Sequence, residues 1–418
     1  QELLIRAYVA SGDQAAAEVQ RDACVALFRR EFGTDPGIGV LQAADSLPQQ
    51  RAFPDRPATK AATVARLEAG LGALDAGAAD TAIGLLRQAA AEAHDVDDGP
   101  LQVQTLIALG SALVHSVRGR DGEGAGVLHE AIGVADRIGS PESAAQAHRE
   151  LGYVELLRGR YDRAQRWLRN AASLAGEEPT ERAWALAVQG VASTDVGRYD
   201  EALSAFQEAV RLAQGGQLAQ VQAWAWTFAG RLHLLRQDLE QARECLTKGL
   251  GFARAVRWTA FVPLPETLLA EVDLNEGHVD AASAAYEHAH ALALQLGDPC
   301  WEGCAARGLG LVAAQRGDDA AALHWITEAR HRCVRLSDAY LWVEGYCLDA
   351  LCTLAVADRR VEASQWVDDM EALATRTGMR ELIARAYAHR GRLGDRVAAE
   401  AARVLAAEVD NPALQRLD

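Results

Sequence analysis

One spacing constrains this chain more than any other property. A small residue recurs, followed at offsets 12, 16 and 19 by a small, a large and a small one. Gly152 leads in this way to Ala164, Leu168 and Ala171, and Gly190 to Ala202, Phe206 and Ala209. Gly230, Ala270, Gly310 and Gly70 start the same series, with Leu246, Tyr286, Ile326 and Leu86 as the large members. Polar turns fall inside each unit, as at Arg158-Gly159-Arg160, Val196-Gly197-Arg198, Glu276-Gly277-His278 and Arg316-Gly317-Asp318. Glycine there supplies a positive φ or a cap. With only 6% aromatic residues, alanine and leucine must build most of the core, and both are good helix formers. At 418 residues the chain is too long for one ordinary core. The pattern therefore predicts an all-α array of helical hairpins.

This small–small–large–small signature resembles the tetratricopeptide repeat. The resemblance implies a right-handed superhelical solenoid of about eight to nine hairpins over 61–418, the last at 381–408. Small residues let the two helices of a unit approach closely, and the large one is expected to fill the gap between neighbouring units. Anchors at 152, 190, 230, 270 and 310 are spaced 38, 40, 40 and 40, longer than the usual repeat. That period resembles the repeats of large bacterial regulators. Two units are irregular. The one at Gly110 needs two extra residues, and the one near Leu351 fits only with Ala363, Val367 and Met370.

The front of the chain differs. Residues 1–45 are helical by pattern and close with Glu31-Phe32-Gly33-Thr34-Asp35-Pro36. Residues 46–60 hold three prolines and read as a linker. The 1–45 segment resembles the C-terminal part of the bacterial transcriptional activator domain of actinomycete antibiotic-regulatory proteins. That resemblance implies a winged-helix DNA-binding domain upstream, outside this chain, and a cytoplasmic transcriptional regulator.

Several chemistries find no support. A formal charge of −16, with arginines scattered rather than clustered, disfavours direct contact with nucleic acid. DNA would be reached only through the upstream domain. No Gly-x-x-x-x-Gly-Lys-Ser/Thr or Gly-x-Ser-x-Gly motif is present. No cofactor, metal or enzymatic activity is expected. Cys300, Cys304, His331 and Cys333 can be drawn as a metal site, but they share no recognised zinc spacing and read as packing residues. Seven cysteines without framework spacing suit a reducing cytoplasm, and no apolar run is long enough to span a bilayer.

Recognition is expected on the concave face, which the first helix of each hairpin lines. The inward stripe reads Arg149 and Tyr153, then Trp184, then Trp224, Thr227 and Arg231, then Glu271, then Arg307. Trp184 and Trp224 share a phase in consecutive repeats and would form a flat apolar wall. Arg149, Arg231 and Arg307 would hold an acidic group beside it. The competing reading is interhelix packing for the tryptophans and local ion pairs for the arginines. The partner would be a peptide, a protein or a small-molecule effector, with a protein–protein scaffold as the alternative function. Assembly into a homo-oligomer is also compatible with the sequence.

Overall fold

The computed structural model describes residues 5, 14–32, 58–75, 78–116, 119–176, 178–216, 218–334, 340–358 and 360–416. These are helical almost throughout, with no strand among the described residues. Two compact units are distinguished, Gln1–Ala58 and Thr59–Asp418. The first contains α1 (Gln14–Phe32). The Gly33 cap and the Glu-Phe-Gly-Thr-Asp-Pro close run into residues outside those described, as does most of the proline-rich stretch.

Among the described residues the second unit forms nine consecutive antiparallel hairpins. They are α2 (Lys60–Asp75) with α3 (Ala79–Asp95), α4 (Gly99–His115) with α5 (Asp121–Ile138), and α6 (Pro141–Leu157) with α7 (Tyr161–Ala175). Then come α8 (Pro179–Asp195) with α9 (Tyr199–Gly215), α10 (Ala219–Leu235) with α11 (Leu239–Ala255), and α12 (Pro263–Asn275) with α13 (Val279–Leu296). The array ends with α14 (Pro299–Gln315) and α15 (Asp319–Cys333), α16 (Leu341–Ala357) and α17 (Ala363–Thr377), and α18 (Arg380–Arg392) and α19 (Arg396–Glu408). The expected all-α solenoid is what the chain forms.

Local chemistry explains the punctuation. Several first helices open with proline in the first turn, where a missing N–H costs nothing. Side chains of Asp98, Glu178 and Asp298 accept from free N–H groups of the helices they precede. The predicted turn glycines at 159, 197, 277 and 317 have φ of +64°, +78°, +83° and +76°.

The repeat signature has a direct steric meaning. A Cβ added at Gly190 would lie 2.5 Å from Phe206, at Gly230 2.5 Å from Leu246, and at Gly310 2.4 Å from Ile326. In each case the clashing residue is the large one at offset 16. It packs onto the anchor of its own hairpin, and Tyr286 reaches the neighbouring unit as expected: a Cβ at Gly308 of α14 would lie 2.0 Å from its ring. The unit at Gly110 obeys the same rule two residues late, against Leu128 at 2.7 Å. The unit at Leu351 departs from the rule: its anchor is a leucine, and both it and Val367 at offset 16 are fully buried.

The solenoid also coils back on itself. The Tyr153 hydroxyl of α6 meets that of Tyr340, just before α16, at 2.6 Å. Tyr199 donates its hydroxyl to Glu381 of α18. Asn411 Nδ2, beyond α19, donates to the Leu235 carbonyl and to Glu381, each at 3.1 Å. The Arg231 guanidinium lies 4.0 Å from the Trp342 ring centroid. The third to fifth hairpins thus touch the eighth, the ninth and the C-terminal segment, and much of the concave face becomes interior.

Gly230→Ala is expected to destabilise the fold by about 1–3 kcal/mol, because Leu246 occupies the space. Gly133→Ala, within a helix and with nothing within 4 Å, should instead stabilise by up to about 1 kcal/mol. Denaturant unfolding of the two variants would show opposite signs; equal shifts would remove the steric account of the repeat.

Candidate functional site: two chambers on the concave side

All of the expected inner stripe except Thr227 divides between two chambers. The larger, about 310 Å³, is walled by aromatic rings. Arg149 and Tyr153 of α6, Trp184 of α8 and Trp224 of α10 all line it. So do Trp258, Phe261, Trp301 and Tyr340, which the stripe did not contain. Gln220 and Ala260 at its rim are exposed, so the chamber reaches solvent.

The rings meet at ordered angles. Trp224 and Trp258 both stack on Phe261, at centroid distances of 5.5 and 4.5 Å and interplanar angles of 20° and 15°. Trp184 stands across them, at 65° to Trp224 and 82° to Trp258. Trp301 stacks on Tyr340 at 5.5 Å.

One end of the chamber is polar. Glu150 is buried and receives Arg149 Nη1 at 2.8 Å and the Ser111 hydroxyl at 3.3 Å, and its other oxygen meets His115 Nε2 at 2.7 Å. Burial disfavours its charge, but Arg149 and His115 outweigh burial and push its pKa down to about 2. Arg149 also donates Nε to Glu181 at 2.8 Å and lies 5.8 Å from the Trp184 centroid.

The smaller chamber, about 140 Å³, contains Arg231, Glu271 and Arg307. Here the arginines are already paired. Arg307 grips Glu271 with both terminal nitrogens, at 3.0 and 3.2 Å, and donates Nε to the Tyr346 carbonyl. Arg231 is buried and donates to Asp195 at 2.7 Å. Arg385 pairs with Asp349 at 3.2 Å, and His389 contacts the same carboxylate at 2.8 Å. Burial opposes ionisation of Asp349, yet Arg385 and His389 hold its pKa well below the carboxylate range. Arg231 and Arg307 therefore do not stand beside the tryptophan wall; they tie neighbouring first helices together. Thr227 lines neither chamber. It is fully buried against the backbone of α11, where a Cβ on Gly249 would come within 2.3 Å of its Oγ1.

The missed aromatics share a cause. Phe261 and Trp301 each lie nine residues before their anchors, at 270 and 310. Trp258 and Tyr340 lie still earlier. The stripe began only six residues before each anchor, so it stopped one turn short. The signal was Val262-Pro263-Leu264-Pro265: the sixth hairpin replaces the first turn of its leading helix with a 3₁₀ turn, Thr259–Phe261, that swings both aromatics inward. Of the residues drawn as a metal site, Cys300, Cys304 and Cys333 are buried, whereas His331 is exposed.

Residues 140–407 match the model of the MalT-like TPR region. Among solved structures the chain is similar to a Rap protein complexed with competence and sporulation factor. The identity is 12%, over 86% of this chain and 100% of that one, with a TM-score of 0.61. It is also similar to aspartyl phosphate phosphatase F from Bacillus subtilis, at 12% identity over 89% and 93% of the two chains, with a TM-score of 0.52. At these identities the likeness is one of fold. No curated protein sequence matches the chain.

Glu150 links the polar end of the chamber to stability. Its pairing stabilises the fold fully above pH 4.5, the ordinary value, and is lost as pH falls towards 2. The difference corresponds to about 3 kcal/mol. Glu150→Gln should flatten the acid limb of the stability curve between those limits, as read by denaturant unfolding at a series of pH values. An unchanged limb would show that the pairing contributes nothing.

Proposed function

Because the chain belongs to the MalT-like TPR-region family, a class of helical-repeat sensor and protein-interaction regions, we propose that it is the effector-binding part of a cytoplasmic transcriptional regulator. The carrying observation is the aromatic chamber. It is open to solvent, near the lower size limit of small-molecule pockets, and lined from hairpins far apart in sequence. A packing surface alone would close such a space; here seven aromatic rings frame it. The Rap protein similar in fold was solved complexed with competence and sporulation factor, which supports an effector in a coil of this kind.

The relay follows from the closure contacts. An effector in the chamber touches Tyr153 and Trp224 on one side and Trp301 and Tyr340 on the other. Its binding energy therefore bears on how tightly the third to fifth hairpins meet the seventh and eighth. Only an effector with different affinity for tighter and looser coils shifts that balance. The output is a DNA-binding domain preceding the 1–45 segment, since a net charge of −16 keeps this chain off phosphate backbones. No described helix is long and apolar enough to cross a membrane.

A thermal-shift screen with small molecules and short peptides should yield a ligand that raises the melting temperature by mass action. Trp184→Ala, at a partly exposed position, should abolish that rise while the variant still melts cooperatively. Hits that stabilise both proteins equally would end the effector reading in favour of a protein–protein scaffold. The coding sequence upstream of Gln1 should specify a winged helix; a start codon there would remove the relay.

A further inference from the structure

We propose that the effector is a neutral, elongated amphiphile, with a ring seated in the aromatic chamber and a hydrocarbon chain running from it along the first three hairpins. This rests on the effector reading above and gives that effector its chemical class. The ground is a second space, an open groove of about 650 Å³ walled by α2, α4 and α6. Ser111 and Gln146 line both the groove and the chamber.

The two spaces share one floor. On α4, Gln104 and Ile107 line the groove, Ser111 lines both spaces, and His115 lines the chamber. On α6, Ser143 lines the groove, Gln146 lines both, and Arg149 and Tyr153 line the chamber. Successive members are three or four residues apart, so each series is a single stripe on its helix. At the α-helical rise each stripe runs for roughly 15 Å. A molecule lying along it meets the half-buried Trp184 and Trp258 at one end and the groove at the other.

The groove selects against charge. None of the described residues lining it is charged, although charged residues make up 24% of the chain. Leu71, Pro100 and Ile138 are exposed along it, and Leu74 and Ala108 are half-buried, so it presents apolar surface to an occupant. An ion laid on that surface gives up water and gains no counter-charge, whereas a hydrocarbon gains with each methylene covered. In the chamber the charged groups already engage one another. Arg149 pairs with Glu150 and Glu181, His115 meets Glu150, and Asp298 caps α14.

Hydrogen bonding separates a hydrocarbon from a peptide. A peptide strand would lay backbone N–H and C=O groups against the wall along its length, and each asks for a partner. The Ser140 hydroxyl donates to that of Ser143 at 2.8 Å, and the Ser111 hydroxyl to Glu150 at 3.3 Å. That leaves the amides of Gln104 and Gln146 to answer a backbone. A hydrocarbon chain asks for no partner.

Two neutral fluorescent dyes, 6-propionyl- and 6-octanoyl-2-dimethylaminonaphthalene, differ only in acyl length and test this on the whole chain. The octanoyl dye should bind at least about ten-fold more tightly. Trp184→Ala should weaken both dyes alike. Leu71→Asp, at an exposed position, places a charge in the groove. It should erase the difference between the dyes and leave propionyl binding unchanged. If that variant fails to fold, Gln104→Glu, also exposed, makes the same comparison. Equal affinity for the two dyes, or a difference that persists in the charged variants, would overturn the amphiphile. Propionyl binding that is lost in Trp184→Ala would then leave the effector reading standing without it. If neither dye binds, the ligand class is overturned and the thermal-shift screen decides the broader reading. A peptide hit weakened by Leu71→Asp would likewise overturn it, by putting a peptide in the groove.

Discussion

The whole second unit depends on one contact: a bulky side chain lying on a residue without one, sixteen positions earlier. Phe206 on Gly190, Leu246 on Gly230 and Ile326 on Gly310 set how closely the two helices of a hairpin approach. The contact is local in sequence, so each hairpin carries its own instruction. The array is then a sum of units and the interfaces between neighbours. At Leu351 the chain departs from the rule: the anchor carries a side chain of its own, buried together with Val367 sixteen positions later.

Coiling adds a second level that nearest neighbours do not explain. Tyr153 with Tyr340, Tyr199 with Glu381, and Asn411 with Leu235 join residues 187, 182 and 176 positions apart. These contacts turn a concave surface into an interior. Polar groups taken inside must be satisfied. That is why the inner wall carries ion pairs rather than free arginines. Arg231 with Asp195, Arg307 with Glu271 and Arg385 with Asp349 each span 36 residues. They join first helices of different hairpins and leave the smaller chamber internally neutralised.

The fold was legible in the sequence because its governing contact is local. Periodic small residues announced the hairpins, and turn glycines placed the bends. Arg149, Tyr153, Trp184 and Trp224 were also readable, since they obey the repeat phase and meet in one chamber. What the sequence hid was non-local. The phase of Arg231 does not reveal Asp195, which neutralises it one repeat away, whereas Arg307 meets Glu271, the stripe member before it. Thr227 shares a helix with Trp224 but sits three residues on. That is enough to turn it towards α11 rather than inward.

The aromatic chamber owes its form to a break in the repeat. In a regular unit the first turn of the leading helix continues the stripe of its neighbours and would pack flush against them. In the sixth hairpin Pro263 and Pro265 start the regular helix late, and Thr259–Phe261 is a 3₁₀ turn instead. Proline is tolerated only at the opening of a helix, so the regular helix cannot extend back through residues 259–262. That shift brings Trp258 and Phe261 against Trp224, where a continuous helix would have placed them one above another along its own face. The departure leaves Trp184 and Trp258 half-buried around a space that the other five rings, each nine-tenths or more buried, do not fill.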